Sequence, residues 1–177
     1  MLTSMSAGGC LSIQEKIRIA EEIDSRWGRT LRANARIAAL ISALRQKLAH
    51  SREAMFACGL VEICRICEEE EGGSCCGKGI EDKFCPTLLL INLLLGQSLP
   101  AKPMRDDSCH FLGPQGCRLQ VRQVICVNYV CQRIQRQIPR DQLIRLQSVT
   151  GEELDTVFML QEAIKKIVET AGLCKPI

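Results

Sequence analysis

Residues 12–48, SIQEKIRIAEEIDSRWGRTLRANARIAALISALRQKL, set the fold class of this chain. Ser12 and Glu15 form the S-x-x-E capping box that typically begins a helix. Apolar residues then recur at intervals of three or four, which indicates one helical stripe. They are Ile13, Ile17, Ala20, Ile23, Trp27, Leu31, Ala35, Ala38, Ile41, Leu44 and Leu48. We therefore predict one long helix here, or two consecutive helices divided at Gly28.

Two further helices are predicted downstream. Residues 85–96, CPTLLLINLLLG, join a proline near the start, an apolar run and a glycine stop, which predicts a short buried helix. Thr150 and Glu153 repeat the capping-box pattern and are expected to begin a last amphipathic helix ending at Gly172. Strand signals are weak throughout. We predict a mainly α, small helical protein with irregular, cysteine-rich loops.

Composition divides the chain into three segments. We expect residues 1–57 to form an N-terminal helical segment, residues 58–138 a cysteine-cluster core, and residues 139–177 a C-terminal helical segment. The apolar stripe of the first segment is expected to be core, or else a surface for a homodimer or a protein partner.

Composition also excludes several classes of function. The formal charge of +3 and an aromatic content of 3% give no strong signal for nucleic-acid binding. The longest apolar run, at 88–96, is far shorter than the roughly 20 residues that span a bilayer. Residues 1–10 lack the basic and apolar regions of an export signal. We expect no membrane association, a cytoplasmic location and reduced thiols.

Eight of the twelve cysteines fall into two groups of four. The first group is Cys64, Cys67, Cys75 and Cys76, and the second is Cys109, Cys117, Cys126 and Cys131. A C-x2-C step lets two thiolates converge on one ion through a tight turn, and a tetrahedral zinc ion or an iron–sulfur cluster then needs two more sulfurs. The pattern therefore predicts that residues 58–138 are a metal-binding core whose loops bind zinc or iron. An iron–sulfur electron-transfer protein, or an accessory protein to a larger redox enzyme, is the alternative.

Other cysteine chemistry fits less well. A thioredoxin-like pair at Cys64 and Cys67 needs a βαβ context, and the glutamates at 68–71 oppose a low thiol pKa. We expect those glutamates to form a solvated turn. Hydrolytic zinc sites usually include His or Glu ligands and an open position, whereas eight sulfurs favour closed coordination. We assign no catalytic residue and leave enzymatic activity open.

Three residues near the two groups have open roles. Cys85 is a further ligand or the first residue of the buried helix. Cys58 is expected to be a small buried apolar residue, like Cys10 and Cys174. His110, beside Cys109, is either a ligand or, as we expect, a surface loop histidine.

Residues 64–131 resemble the zinc- or iron-chelating cysteine-cluster domain family, which is named for a CxxCxxCC motif. The resemblance rests on Cys64-Arg-Ile-Cys67 with the Cys75-Cys76 doublet, on Cys109-His-Phe-Leu with Gly116-Cys117, and on Arg122 before Cys126 and Cys131. Seven residues separate Cys67 from the doublet, where the family name implies two. The resemblance implies metal chelation by these eight cysteines and no established reaction.

Overall fold

The structure is a computed structural model that describes residues 11–70 and 75–170. The helices are α1 (Ile13–Ala33), α2 (Ala35–Ala57), α3 (Leu60–Glu70), α4 (Pro86–Leu94), α5 (Val124–Asn128), α6 (Gln132–Gln137) and α7 (Arg140–Thr170), with a 3-10 turn at Ile80–Lys83. The strands β1 (Leu112–Gly113) and β2 (Gly116–Cys117) pair antiparallel. The prediction of a mainly α protein is confirmed.

The N-terminal stretch forms two helices, and the break between them lies at Asn34. Ser12 and Glu15 make both hydrogen bonds of the predicted capping box. The prediction of a division at Gly28 is wrong, because Gly28 lies inside α1. Asn34 has an extended backbone, and its side-chain oxygen accepts from the amides of Arg36 and Ile37. An asparagine that satisfies free N–H groups starts a helix, whereas one glycine within a helix is tolerated.

The break at Asn34 also shifts the register of the apolar stripe. In α2 the buried positions up to residue 48 are Ile37, Ile41, Leu44 and Leu48, while Ala35 and Ala38 are exposed. Helix α1 packs against α4 and helix α2 against α7. The buried part of the stripe therefore lies in the core of its own chain, and a dimer formed through it would have to displace these contacts.

Helix α4 lies at the centre of the core, as the sequence predicts for residues 85–96. Pro86 is in its first turn, and Gly96 follows it with a φ of +88°. Leu89, Leu90 and Ile91 have no exposed surface. Burying one such side chain contributes about 1.5–3 kcal/mol, so this short helix is held mainly by packing.

Helix α7 differs from its predicted start. It begins at Arg140 and continues through Thr150, so the predicted capping box is wrong. The Thr150 hydroxyl donates to the carbonyls of Leu146 (3.0 Å) and Gln147 (3.2 Å), one turn back in the same helix. Thr150 and Glu153 are both buried, so their spacing of three residues reflects one buried helix face and not the start of a helix. The predicted end at Gly172 lies outside the described residues. Within the described ranges no helix is long and apolar enough to cross a membrane.

Candidate metal centre

Helix α3 carries the first two predicted ligands. Cys64 and Cys67 are three residues apart within it, so they share one helix face. The expectation that a tight turn presents them is wrong. On the exposed face Arg65 pairs with Glu62 (2.6 Å) and with Glu69, and such pairs at helical spacing favour helix over turn.

The glutamates after Cys67 also differ from prediction. Glu68 and Glu69 belong to α3, so the expected solvated turn is wrong at these positions. The Glu68 carboxylate lies 3.6 Å from the Arg105 guanidinium, and its side chain is only 15% exposed. Residue 71 lies outside the described residues. The acidic block thus extends a helix and contacts the loop that precedes Cys109.

The cysteine doublet is tied to the second group through the backbone. The amide of Cys109 donates to the carbonyl of Cys76 at 2.8 Å. Gly77 and Ser108 form an antiparallel bridge next to this bond. Cys76 and Cys109, which are 33 positions apart in the chain, are therefore fixed side by side.

A short hairpin places Cys117. Leu112 in β1 pairs with Cys117 in β2, and the amide of Arg118 donates to the carbonyl of Phe111 at 2.8 Å. The Arg118 guanidinium donates to the carbonyl of His110 at 2.7 Å and also contacts the preceding loop. These bonds hold Cys117 close to the segment that contains Cys109.

The last two predicted ligands lie at short helices. Cys126 is in α5, and its amide donates to the carbonyl of Gln123 at 2.8 Å. Cys131 is the N-cap residue of α6. Helix α3 packs against α6, which brings Cys131 to the side of the molecule where Cys64 and Cys67 lie.

The thiols of the two groups influence each other electrostatically. Burial, followed by the neighbouring sulfurs of Cys76, Cys131 and Cys67, raises the pKa of Cys64 to about 11. Burial, followed by Cys117 and Cys76, raises the pKa of Cys126 to about 11. These cross-influences show that cysteines of both groups share one region of the protein.

Three further thiols follow the same trend. Burial raises the pKa of Cys109 to about 12 and also raises the pKa of Cys117. The hydrogen bond with the Cys76 thiol raises the pKa of Cys75. The sulfur of Cys76 raises the pKa of five other thiols, those of Cys64, Cys75, Cys109, Cys117 and Cys126. Cys76 is thus the common neighbour of both groups.

Arg122 places a positive charge beside the thiols. Its guanidinium lowers the pKa of Cys64, Cys117 and Cys126 against the stronger effect of burial. One of its nitrogens lies 3.3 Å from the Met55 sulfur, and a thioether sulfur is a weak hydrogen-bond acceptor. Because the thiol pKa values still rise, one guanidinium alone does not favour a set of thiolates here.

The predicted ligands lie in one region of the protein, but their side chains do not converge on a common point. Among residues 11–70 and 75–170, no three His, Cys, Asp or Glu side chains are arranged to hold a metal ion as they stand. The donors themselves suit zinc, iron or an iron–sulfur cluster, because all eight are thiols and thiolates are preferred ligands of each.

Each of the three residues with open roles contacts an identified partner. Cys58 is the C-cap of α2 and contacts the Met55 carbonyl through its thiol at 3.5 Å. Cys85 is the N-cap of α4, and its sulfur accepts from the Gln161 side chain at 3.5 Å. The expectation that His110 is a surface residue is wrong. It is 2% exposed, and its ring nitrogen donates to the carbonyl of Pro100 at 2.8 Å.

Two amide side chains that sequence reasoning missed hold the segment after Cys117. Asn92 in α4 and Gln97 just beyond it bond to the backbone of residues 118–121. The sequence carried a signal for Asn92, since one asparagine interrupts the apolar run LLLINLLL. A polar residue at the centre of a buried helix requires partners, and the partners lie far away in the sequence.

No protein-family model, curated protein or solved structure matches this chain significantly. The resemblance to the cysteine-cluster family therefore stays a prediction.

Proposed function

We propose that this protein binds zinc or iron through the thiolates of Cys64, Cys67, Cys75, Cys76, Cys109, Cys117, Cys126 and Cys131. The observation that carries the proposal is the convergence of cysteines from three separated stretches around Cys76. The resemblance to the cysteine-cluster family suggests the same ligands and the same two metals.

A bound cation explains why so many thiols are half-buried together. Burial and mutual repulsion favour the protonated thiols, and a metal ion reverses that preference because it binds the thiolate. Eight sulfurs suffice for two tetrahedral ions or two four-iron clusters. Two divalent ions would offset half of the eight negative charges, and Arg122 supplies one more positive charge nearby.

Binding on this proposal builds on contacts that the backbone already makes. The backbone already brings Cys76 beside Cys109 and pairs the hairpin that holds Cys117. Rotation of thiol side chains toward a common point would complete the coordination. The thiols must be reduced, which agrees with a cytoplasmic location.

An iron–sulfur protein that transfers electrons, or assists a larger redox enzyme, is the second candidate. The all-thiol donor set favours it, because the nearby His110 is engaged by a backbone carbonyl. Such clusters are held by cysteine thiolates and absorb visible light. Zinc has a filled d shell, does no redox chemistry and gives a colourless protein.

Anaerobic purification followed by elemental analysis and a visible spectrum tests both candidates. We expect stoichiometric zinc or iron in the wild-type protein. Cys76→Ser should lose most of the metal, whereas Cys58→Ser, a matched control outside both groups, should keep it. Brown protein that reductant bleaches would favour the iron–sulfur candidate. Wild-type protein with neither metal would contradict the proposal.

A further inference from the structure

We propose that Asn92 and Gln97 act as an amide clamp that fixes residues 118–121 before any metal binds, which makes them positioning residues for the ligands Cys109 and Cys117. This inference rests on the proposed function, because it concerns how the metal site is prepared. It implies that these two of the eight proposed ligands are positioned by the fold alone.

The Asn92 side chain uses its whole hydrogen-bonding capacity. Its nitrogen donates to the carbonyls of Leu88 (3.1 Å) and Val121 (3.0 Å). Its oxygen accepts from the amides of Gln120 (3.0 Å) and Val121 (2.9 Å). With no exposed surface, an unpaired amide here would be costly, so the four bonds explain why a polar residue is tolerated in this helix.

Gln97 reinforces the same segment from the end of α4. Its oxygen accepts from the amide of Gln120 at 2.9 Å, and its nitrogen donates to the carbonyl of Arg118. The amide of Gln120 is therefore shared by both clamp residues, whereas the amide of Val121 bonds to Asn92 alone. This asymmetry makes the two contributions separable by experiment.

The clamped segment connects directly to predicted ligands. It begins one residue after Cys117, and Arg118 within it donates to the carbonyl of His110, the neighbour of Cys109. It ends next to Arg122, the positive charge beside the thiols. Fixing residues 118–121 to α4 therefore fixes Cys117 and Arg122, and through Arg118 it also holds the chain next to Cys109.

Amide hydrogen exchange on the metal-free full-length protein tests whether the clamp exists without metal. We expect the amides of Gln120 and Val121 to be protected. Gln97→Ala should speed exchange at Gln120 by about tenfold and leave Val121 much less affected. Asn92→Ala should speed both. Gln46→Ala, at an exposed glutamine of α2, should change neither.

A cobalt(II) titration that follows the thiolate-to-cobalt absorption band tests the role in metal binding. We expect Gln97→Ala to weaken cobalt affinity by about 10- to 100-fold, as other changes next to metal ligands do, while its far-ultraviolet circular dichroism stays that of the wild type. Gln97→Glu keeps the acceptor for the Gln120 amide and should recover part of the affinity.

The possible failures are distinguishable. Unprotected Gln120 and Val121 amides in the metal-free protein, or unchanged cobalt affinity in Gln97→Ala, would overturn the clamp while the wild type still binds metal. A wild-type protein that binds no cobalt, zinc or iron would overturn the proposed function and, with it, the positioning role.

Discussion

The helical frame, α1, α2, α4 and α7, differs from the cysteine region, residues 75–85 and 97–131, in what holds it together. The frame buries aliphatic side chains along whole helix faces, so its core forms by apolar packing. The cysteine region contains short elements that are fixed by individual hydrogen bonds, and some of its side chains, such as Phe111 and Val121, join the same apolar core. From this difference we predict that the frame folds without a metal, and the proposed function predicts that the ligand loops gain further stability when a metal binds.

Removal of the proposed metal should have the largest effect on stability, and it should affect the two regions differently. Complete chelation is expected to melt the ligand loops outside the clamped residues 118–121 and leave most of the helix content, because structural zinc binding contributes about 10 kcal/mol or more to small sites. Circular dichroism and hydrogen exchange, measured before and after chelation, check this. Unchanged thermal stability after complete removal of metal would show that the cysteine region does not depend on it.

Truncation of the frame's core should come next. Leu89→Ala removes a fully buried side chain from α4 and should lower the free energy of unfolding by about 2–5 kcal/mol. Urea unfolding of the metal-free protein measures the loss. Phe158→Ala is the control, because Phe158 is 63% exposed and should cost much less. Equal losses in the two variants would contradict the assigned core.

Glu153 provides a test of pH dependence where α2 and α7 meet. Burial raises the pKa of this carboxyl above 4.5, against the Ser51 hydroxyl and the charges of Arg122 and Arg52. Neither of its oxygens makes a hydrogen bond of standard geometry. Because the folded state binds this proton more tightly than the unfolded state does, the raised pKa contributes stability that is fully present below pH 4.5. That stability is lost as the pH rises through the folded-state pKa.

Glu153→Gln should therefore gain stability relative to the wild type as the pH rises from 4.5 to 7.5, by about 1–3 kcal/mol. Urea unfolding of the metal-free proteins at both ends of this range measures the difference. Glu152→Gln is a neighbouring control at an exposed position and should show little pH-dependent gain. A parallel pH dependence for wild type and Glu153→Gln would contradict the raised pKa.

The helix break should give the smallest effect. Asn34→Ala removes the cap of α2 and should destabilise the frame by about 1 kcal/mol, while leaving metal content unchanged. Thermal unfolding checks the first expectation and elemental analysis the second. A loss of metal in Asn34→Ala would contradict the independence of the frame and the cysteine region.

Local patterns in the sequence predicted the frame better than the cysteine region. The capping box at Ser12 and the apolar helix after Cys85 are both present, because each depends on neighbouring residues. The same capping pattern failed at Thr150, where packing decides the structure. Glycine was favoured as the break although Asn34 offered a side-chain acceptor for two amides.

The candidate site depends on contacts that no local pattern contains. The spacing of Cys64 and Cys67 allowed either a turn or a helix, and the ion pairs of Arg65 favour the helix. The bond between Cys76 and Cys109 and the bonds of Asn92 join positions far apart in the chain. The sequence predicted a set of candidate ligands. It could not predict how the fold brings them together, because that depends on these long-range contacts.

X-ray absorption spectroscopy of anaerobically purified wild-type protein tests the central claim most directly. The proposal predicts zinc or iron with a first coordination shell of sulfur alone, at about 2.3 Å. A first shell of nitrogen and oxygen, or the absence of both metals, would contradict it.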